Sequence, residues 1–468
     1  MSKSRFYNVY LKSIAFAAVA INNPVSSQEP NIVFILADDL GWKDLGCYDN
    51  KYTETPNIDT LAKNGIRFTQ AYAACPVSSP TRASIMTGKY PARLHLTNFI
   101  AGNRTDATSP VLPAPWKPYL ESREKTIAEL LKDSGYSTGM TGKWHLGIHD
   151  SIAPWNQGFD YSRMIGKNGL DYYNYSIYED SYNKEFIDKG TEYLTDKLTD
   201  YGVEFISRNK GNPFFLYLAY SAPHVVIVPR PDKLMKYFRK YSQSKEKFNP
   251  YYAAMVESID DGVGRIVETL KQNGIFENTL IIFTSDNGGL GIDELGPTPT
   301  SNSPLRKWKG HLYEGGIRVP AIMSWPGKIN PGIVSDEYFS SIDYLPTLCQ
   351  ITGIKSIPSN IDGISIVPLL TDNSSSASDR PLFWHYPHFS NQMGRPSGAI
   401  RIGDYKLVEN YETATTELFD LKNDISESTD LSQILVLKTT ELHKLLIEWR
   451  ERVNAVMPIP NPEYRPLR

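Results

Sequence analysis

Asn31-Ile32-Val33-Phe34-Ile35-Leu36 is an unbroken apolar run that ends, one alanine later, on the paired carboxylates Asp38-Asp39. A strand wetted on one side alternates apolar with polar residues. A run that is apolar at every position suits a strand buried on both faces, as in a parallel sheet covered by helices. Its carboxyl end then delivers two carboxylates to the sheet edge. Phe214 to Ala219 and Leu280 to Thr284 read the same way, and the latter runs into Asp286-Asn287. Helical patterns lie between these runs. Thr126 and Glu129 form a capping box before Leu130-Leu131, with Gly135 where a C-cap glycine belongs. Tyr252, Val256, Ile259, Val263, Ile266 and Leu270 recur at spacings of three and four, which marks a longer helix. The alternation predicts an α/β fold with a mainly parallel central sheet flanked by helices.

The 468 residues exceed the roughly 250 to 300 at which one hydrophobic core stops growing, so a large domain plus a smaller one is expected. The Ser/Asp-rich stretch Thr371 to Asp379 is the expected boundary, separating a catalytic domain over 29–372 from a small α+β unit over 380–468. That unit shows strand-like runs, Ala399 to Ile402 and Tyr405 to Val408, and a helical pattern through Leu437, Leu442, Leu446 and Trp449. With 41% apolar and 22% charged residues and a formal charge of -3, the composition excludes a disordered or nucleic-acid-coating chain. An anionic ligand must be attracted locally.

Lys3, Arg5 and Lys12, the apolar stretch Ile14 to Ile21 and the small-residue run Val25-Ser26-Ser27 read as a cleaved export signal over 1–28. The expected location is therefore periplasmic or secreted. The apolar stretch falls short of the ~18 residues that span a bilayer, and no membrane span is expected later. Cys47, Cys75 and Cys349 are too few and too scattered for a disulfide scaffold or a cysteine zinc site.

The run Ala74-Cys75-Pro76-Val77-Ser78-Ser79-Pro80-Thr81-Arg82-Ala83-Ser84-Ile85-Met86-Thr87-Gly88 carries Ser-x-Pro-x-Arg before a helix closed by Thr-Gly. Alone, that pentad is also a capped surface helix. Extended through Lys89-Tyr90-Pro91-Ala92-Arg93, it resembles the signature of the formylglycine-dependent (type I) sulfatases, in its serine form, with Ser78 at the modified position. Pro80 suits the first turn of the helix, whose N-terminal amides would face an incoming anion.

The resemblance continues along most of the chain. Asp38-Asp39 and Asp286-Asn287 match the four residues that hold a calcium ion beside the formylglycine in that family. Oxygen-only donors at strand ends suit a hard cation better than zinc or copper. Thr141-Gly142-Lys143-Trp144-His145-Leu146-Gly147 matches the Gly-Lys-Trp-His segment, in which the lysine binds sulfate oxygens and the histidine assists at the formylglycine. Read as a strand, it puts Lys143 and His145 on one side and Trp144 on the other. Ala222-Pro223-His224 matches the histidine implicated in protonating the leaving oxygen. Asn302 to Lys309, followed by Tyr313 to Pro320, matches a further block and places a sulfate-binding lysine at Lys309, with Lys307 the poorer candidate. Glu314 and Arg318 read as scaffold around the glycine pair Gly315-Gly316.

The resemblance implies an alkaline-phosphatase-like large domain, a C-terminal unit with an antiparallel sheet, and sulfate-ester hydrolysis with one bound Ca2+. A serine sulfate ester has no easy route to breakdown. A formylglycine hydrate formed at Ser78 attacks sulfur with one hydroxyl and expels sulfate with the other by reforming the aldehyde. The cation also touching position 78 polarises a sulfate oxygen. Lys143 and Lys309 neutralise the other oxygens, His224 with Lys309 serves as general acid, and His145, positioned by Arg82, serves as base. A maturation enzyme that makes formylglycine is the implied partner. A phosphoric-ester hydrolase using unmodified Ser78, and an inactive homologue that binds sulfated glycans, are the competing readings.

For substrate, Ala92-Arg93-Leu94-His95-Leu96-Thr97 resembles exported bacterial carbohydrate sulfatases, which implies a sulfated carbohydrate, with aryl sulfates as a simpler alternative; an exo-acting pocket closed by the second domain is expected. His95, Asn98, Arg104 and His385 are candidate sugar contacts. The aromatic clusters at Tyr172, Tyr173, Tyr175 and Tyr178 and at Trp384 to Phe389 suit either sugar stacking or ordinary packing.

Overall fold

The apolar run that opens the chain is the first strand, β1 (Asn31–Ala37), and all seven of its residues are buried. The computed structural model describes residues 29–465, apart from 167–170, 183–184, 187–191, 246–247, 294–297 and 372–379. The expected leader over 1–28 and most of the expected domain boundary lie outside these residues. The strands that follow are β2 (Ile66–Tyr72), β3 (Val111–Leu112), β4 (Ser137–Gly142), β5 (Tyr161–Ile165), β6 (Ile177–Tyr178), β7 (Glu185–Phe186), β8 (Phe214–Ala219), β9 (Thr279–Ser285), β10 (Arg318–Ser324) and β11 (Ile333–Ser340). Apart from β3, they form a ten-stranded sheet in the order β11-β2-β10-β9-β1-β8-β4-β5-β6-β7.

The centre of that sheet is parallel: β1 pairs β8 and β9, and β4 pairs β8 and β5, all in the same direction. Strand β10 runs antiparallel between β9 and β2, and at the other edge β6 is antiparallel to β5 and β7. Alternate residues of β1 enter different cores. Ile32, Phe34 and Leu36 belong to one apolar cluster, and Val33, Ile35 and Ala37 to another, which is what burial on both faces requires. Each such side chain removed from water contributes roughly 1.5–3 kcal/mol.

Register then fixes the site. Leu36 pairs Ala219 on one side and Thr284 on the other, while Gly142 pairs Ala219. Four strands therefore end level, and the residues just beyond them meet at one sheet edge, the usual place for a ligand in such folds. The helices match the sequence pattern. Thr126 caps Ile127–Asp133 with the full reciprocal capping box, and Gly135 takes a positive φ of 91° just past its end. The long helix is Pro250–Gln272.

The C-terminal unit is a four-stranded antiparallel sheet of β12 (Leu382–Tyr386), β13 (Ser397–Ile402), β14 (Tyr405–Asn410) and β15 (Thr415–Asp420), with the helix Val436–Arg452 packed on it. A short β16 (Ile459–Pro460) returns to pair β3. Leu442, Leu446 and Trp449 face the core, Trp449 lying 4.8 Å from Phe383 in a stacked pair. Leu437, grouped with them by spacing, is 88% exposed. A buried charge cluster ties the two sheets together: the Lys406 ammonium donates to Glu314 Oε1 and Glu427 Oε1, both at 2.9 Å. Glu314 also accepts from the Tyr72 hydroxyl at 2.7 Å and pairs with Arg318 at 3.2 Å. Glu314 and Arg318 thus sit in the scaffold.

Candidate active site

Ser78 opens the helix Ser78–Thr87, of which every residue is buried. Its hydroxyl lies 3.1 Å from Asp38 Oδ1 and 3.4 Å from Asn287 Oδ1, so the ends of β1 and β9 converge on the head of this helix. The Asp39 amide donates to Asp286 Oδ1 at 3.2 Å, and Asn287 Nδ2 donates to Asp39 Oδ1 at 2.8 Å. Asp39 holds this position with φ at 66°, a left-handed conformation that aspartate tolerates better than most residues. Tyr252, from the long helix, supports it by donating to the Asp39 carbonyl at 3.2 Å and to Asp44 Oδ2 at 2.6 Å.

Cations balance the carboxylates. Arg82, four residues along the helix from Ser78, donates to Asp286 Oδ2 from Nε at 2.9 Å and Nη2 at 2.8 Å. The ammonium of Lys143 hydrogen-bonds Asp38 Oδ2, and Lys309 Nζ donates to Asp39 Oδ2 at 2.7 Å. Lys307 is exposed, outside the site. Burial drives the Asp38 carboxyl up, but Lys143, His224, Arg82 and Lys309 more than offset it and hold it well below the usual range. Asp286 goes the other way, pushed up to about 6 by burial and by the charge of Asp38 against the pull of Arg82. Lys309, although burial opposes its charge, is pushed up by Asp39 and Asp38.

Burial disfavours the charged form of both histidines. Burial, then Lys143 and Arg82, hold His145 well below the ordinary imidazole range, and its Nδ1 is buried without a hydrogen-bond partner. Burial brings His224 down to about 4 despite the attraction of Asp39, whose Oδ2 lies 3.6 Å from Nε2. Its Nδ1 faces the Val225 carbonyl. The Tyr172 hydroxyl, 3.0 Å from the carbonyls of both Ser221 and His224, holds this loop in place.

The segment carrying Lys143 departs from the strand expected for it. Strand β4 stops at Gly142, where φ is 110° and a Cβ would stand 1.8 Å from the Ala219 carbonyl oxygen, so only glycine fits. Lys143 N still donates to that carbonyl at 2.8 Å, after which His145 turns to φ 59°. Lys143, Trp144 and His145 all line one cavity with Ser78, and Trp144, 2% exposed, donates to the Ile152 carbonyl at 2.9 Å. Arg82 engages this segment at the Lys143 carbonyl, at 2.8 Å, and has no hydrogen bond to the His145 ring among the contacts found.

The donor set fits a hard divalent cation. Asp38 and Asn287 bring side-chain oxygens to the Ser78 hydroxyl, and Asp39 and Asp286 are linked to them through the Asp39 amide and the Asn287 side chain, so the set is of oxygen donors only. Asp38, Asp39 and His224 also place one donor atom each within 4.8 Å of one another.

The sugar-contact candidates fall elsewhere. His385 is 4% exposed, with Nδ1 on the Tyr411 hydroxyl at 2.7 Å and Nε2 on the Val456 carbonyl at 3.0 Å. Asn98 is 2% exposed and bonds the Gly102 carbonyl and the Tyr386 hydroxyl. His95 and the exposed Arg104 do not line the cavity either. Tyr172, Tyr175 and Tyr178 are buried, as are Trp384 and Tyr386, so these aromatics pack. The walls of the cavity, about 470 Å³, come instead from Phe99, Ile100, Ile148, Met164, Ile165 and Tyr182, with Asn391 and Ser221 adding polar groups. None belongs to a motif. Ile148, Ser221 and Phe99 directly adjoin the segment ending at Gly147, the motif starting at Ala222 and the candidate Asn98.

Similarity to known proteins agrees with this geometry. The family described as Sulfatase matches residues 30–354, and that described as N-sulphoglucosamine sulphohydrolase, C-terminal, matches 307–453. A protein named Sulfatase from Formosa agariphila is 35% identical over an alignment of 506 residues, covering 92% of this chain and 90% of its own. The N-acetylgalactosamine-6-sulfatase of Homo sapiens is 34% identical over 381 residues, covering 76% and 68%. The crystal structure of Ps i-CgsB in complex with k-i-k-neocarrahexaose shares 32% identity, with a TM-score of 0.78 over 90% of this chain and 93% of that one. Likeness of sequence and of fold over nine-tenths of the molecule has one reading: the chain belongs to the sulfatase family and is a sulfuric ester hydrolase.

Proposed function

We propose that the enzyme removes sulfate from a sugar of a sulfated glycan, acting from a chain end, with position 78 as the reacting group after oxidation of Ser78 to formylglycine. The observation that carries this is the placement of Ser78, at the cavity floor, against Asp38 and Asn287, with Lys143 and Lys309 on neighbouring carboxylates. Sulfated-glycan chemistry is supported by the N-acetylgalactosamine-6-sulfatase relative and by the neocarrahexaose-bound neighbour.

Asp38, Asp39, Asp286 and Asn287 are assigned as calcium ligands, with position 78 as a further one. Together, a formylglycine hydrate and the cation would supply a nucleophilic hydroxyl and a Lewis acid at one sulfate oxygen. Lys143 and Lys309 bind the remaining sulfate oxygens, where fixed charges in a dry site stabilise the growing negative charge. His145, buried and with Nδ1 unpartnered, takes the proton from the attacking group. His224 with Lys309 delivers a proton to the leaving oxygen. An arriving sulfate adds negative charge beside the His224 ring and raises its proton affinity.

Export to the periplasm or the medium, and a maturation enzyme acting on Ser78, complete the reading. Among the described residues no helix is long and apolar enough to cross a membrane.

Mass spectrometry of the peptide spanning Ser78, from the native host, tests the reading: loss of two hydrogens is expected. An active enzyme with unchanged Ser78 overturns it. Release of sulfate from an aryl sulfate, without release of phosphate from the matching aryl phosphate, separates it from phosphatase action and from an inactive binding protein.

A further inference from the structure

Lys309 reaches the site from irregular backbone. Between the end of β9 at Ser285 and the short helix Glu314–Ile317 the described residues form neither helix nor strand, so the start of the lysine side chain is fixed by individual contacts. That side chain is a flexible hydrocarbon stem, and the place of its backbone decides whether the ammonium meets a sulfate oxygen. The Lys309 amide donates to the Gly289 carbonyl at 3.2 Å. Gly289, two residues beyond Asn287, is in turn gripped at both its polar groups by one carboxamide. Its amide donates to Asn302 Oδ1 at 3.1 Å, and Asn302 Nδ2 donates to its carbonyl at 2.9 Å. The backbone donor and acceptor settle which end of the carboxamide is the oxygen. Asn302 is 5% exposed, and its own carbonyl accepts from the Leu305 amide at 2.8 Å, in the turn that leads towards Lys309. A Cβ on Gly289 would stand 2.9 Å from Gly41 Cα and 3.1 Å from Asn302 Oδ1, so a side chain there would push the clamp apart.

We propose that Asn302 is the positioning residue for Lys309: by clamping Gly289 it fixes the carbonyl that holds the Lys309 amide, and so the point from which the lysine extends to the sulfate. This rests on the reading above that Lys309 binds a sulfate oxygen. Lys309 lines the cavity and Asn302 lies behind it, so the asparagine acts through Gly289 and not on the substrate. In Asn302→Ala the buried Gly289 amide loses its acceptor, and its carbonyl keeps the Lys309 amide alone, so the loop shifts until another group meets the amide. A displacement of about 1 Å at a charged group in an active site costs roughly a hundredfold in rate, because a fixed charge stabilises the reacting oxygen only where it is aimed. The block from Asn302 to Lys309 thus carries both the charged group and the residue that aims it.

The test compares the matured full-length enzyme with Asn302→Ala, Asn302→Ser, Lys309→Met and the double variant Asn302→Ala/Lys309→Met. Two constants are read: kcat/KM on an aryl sulfate, and the dissociation constant of inorganic sulfate by calorimetry, which does not depend on how much of a sample is folded. Asn302→Ala is expected to lower kcat/KM about tenfold or more and to weaken sulfate binding several-fold. Asn302→Ser is neutral and its short hydroxyl meets at most one of the two Gly289 groups, so it should fall between. The double variant should lose no more than Lys309→Met alone, since aim is irrelevant once the ammonium is gone. A lowered melting temperature with both constants unchanged makes Asn302 a structural residue and overturns the proposal, as do losses that add in the double variant. If the alanine variant does not fold, the serine variant, alone and with Lys309→Met, carries the same comparison. Unchanged constants in Lys309→Met instead overturn the reading of Lys309 as a sulfate-binding lysine, and the proposal with it.

Discussion

Arg82 grips Asp286 through two nitrogens at 2.9 and 2.8 Å, and both side chains are wholly buried. The third nitrogen binds the Lys143 carbonyl, so one guanidinium couples the helix of Ser78, the end of β9 and the segment that presents Lys143. Arg82→Ala leaves Asp286 buried beside Asp38 without its paired counter-charge, and a loss of about 3–5 kcal/mol of stability is expected. Arg82→Lys keeps the charge but not the planar fork, and is expected to fold better than the alanine variant while still losing activity. Denaturant unfolding with parallel rate measurements checks both.

Tyr172 holds the carbonyls of Ser221 and His224, so with His224 as the proposed general acid its hydroxyl would position that ring. Removing a hydrogen bond worth about 1 kcal/mol should slow proton delivery roughly fivefold. In Tyr172→Phe that loss is expected for sugar sulfates, whose leaving oxygen needs a proton, and much less for a nitrophenyl sulfate. An equal loss on both substrates would show that the tyrosine only stabilises the loop.

The cation proposed for Asp38, Asp39, Asp286 and Asn287 would tie stability to its concentration. Free calcium at a hundred times its dissociation constant adds about 2.7 kcal/mol to the folded state. Treatment with a chelator should lower the melting temperature and the activity together, and calcium should restore both. Asp38→Asn should abolish the dependence. A melting temperature indifferent to chelator and calcium would remove the cation from the site.

His385 is a structural residue by its surroundings, and pH tells that role from sugar binding. Burial holds its imidazole down to about 4, and buried His388 likewise to about 3. Unfolded histidine has its ordinary value near 6.5. The folded protein therefore binds fewer protons, so the neutral rings contribute stability that is present above pH 6.5 and lost as pH falls towards 4. His385→Gln should flatten the decline in stability over that window and leave KM unchanged. A raised KM with an unchanged acid profile would return His385 to the substrate.

The apolar run of β1 and the doublets Asp38-Asp39 and Asp286-Asn287 were enough to specify a parallel sheet buried on both faces, because that pattern is stable only when helices cover both sides. The serine motif and the Gly-Lys-Trp-His segment pointed to a sulfatase through their resemblance to that family's signature. Three things were beyond the sequence. The turn at Gly142 and His145 replaces the expected strand because the Ala219 carbonyl closes on Gly142, a contact between residues 77 apart by their numbering. The burial of His385 and Tyr172 depends on which elements pack against them, and spacing cannot report that. The cavity wall is drawn from Phe99, Ile148, Met164 and Tyr182, residues whose side chains look like ordinary core until the fold leaves them facing an opening. Local patterning determines which faces are apolar and which residues can do chemistry. Only tertiary packing decides which apolar face stays open for a substrate, because that depends on contacts between segments far apart in the chain.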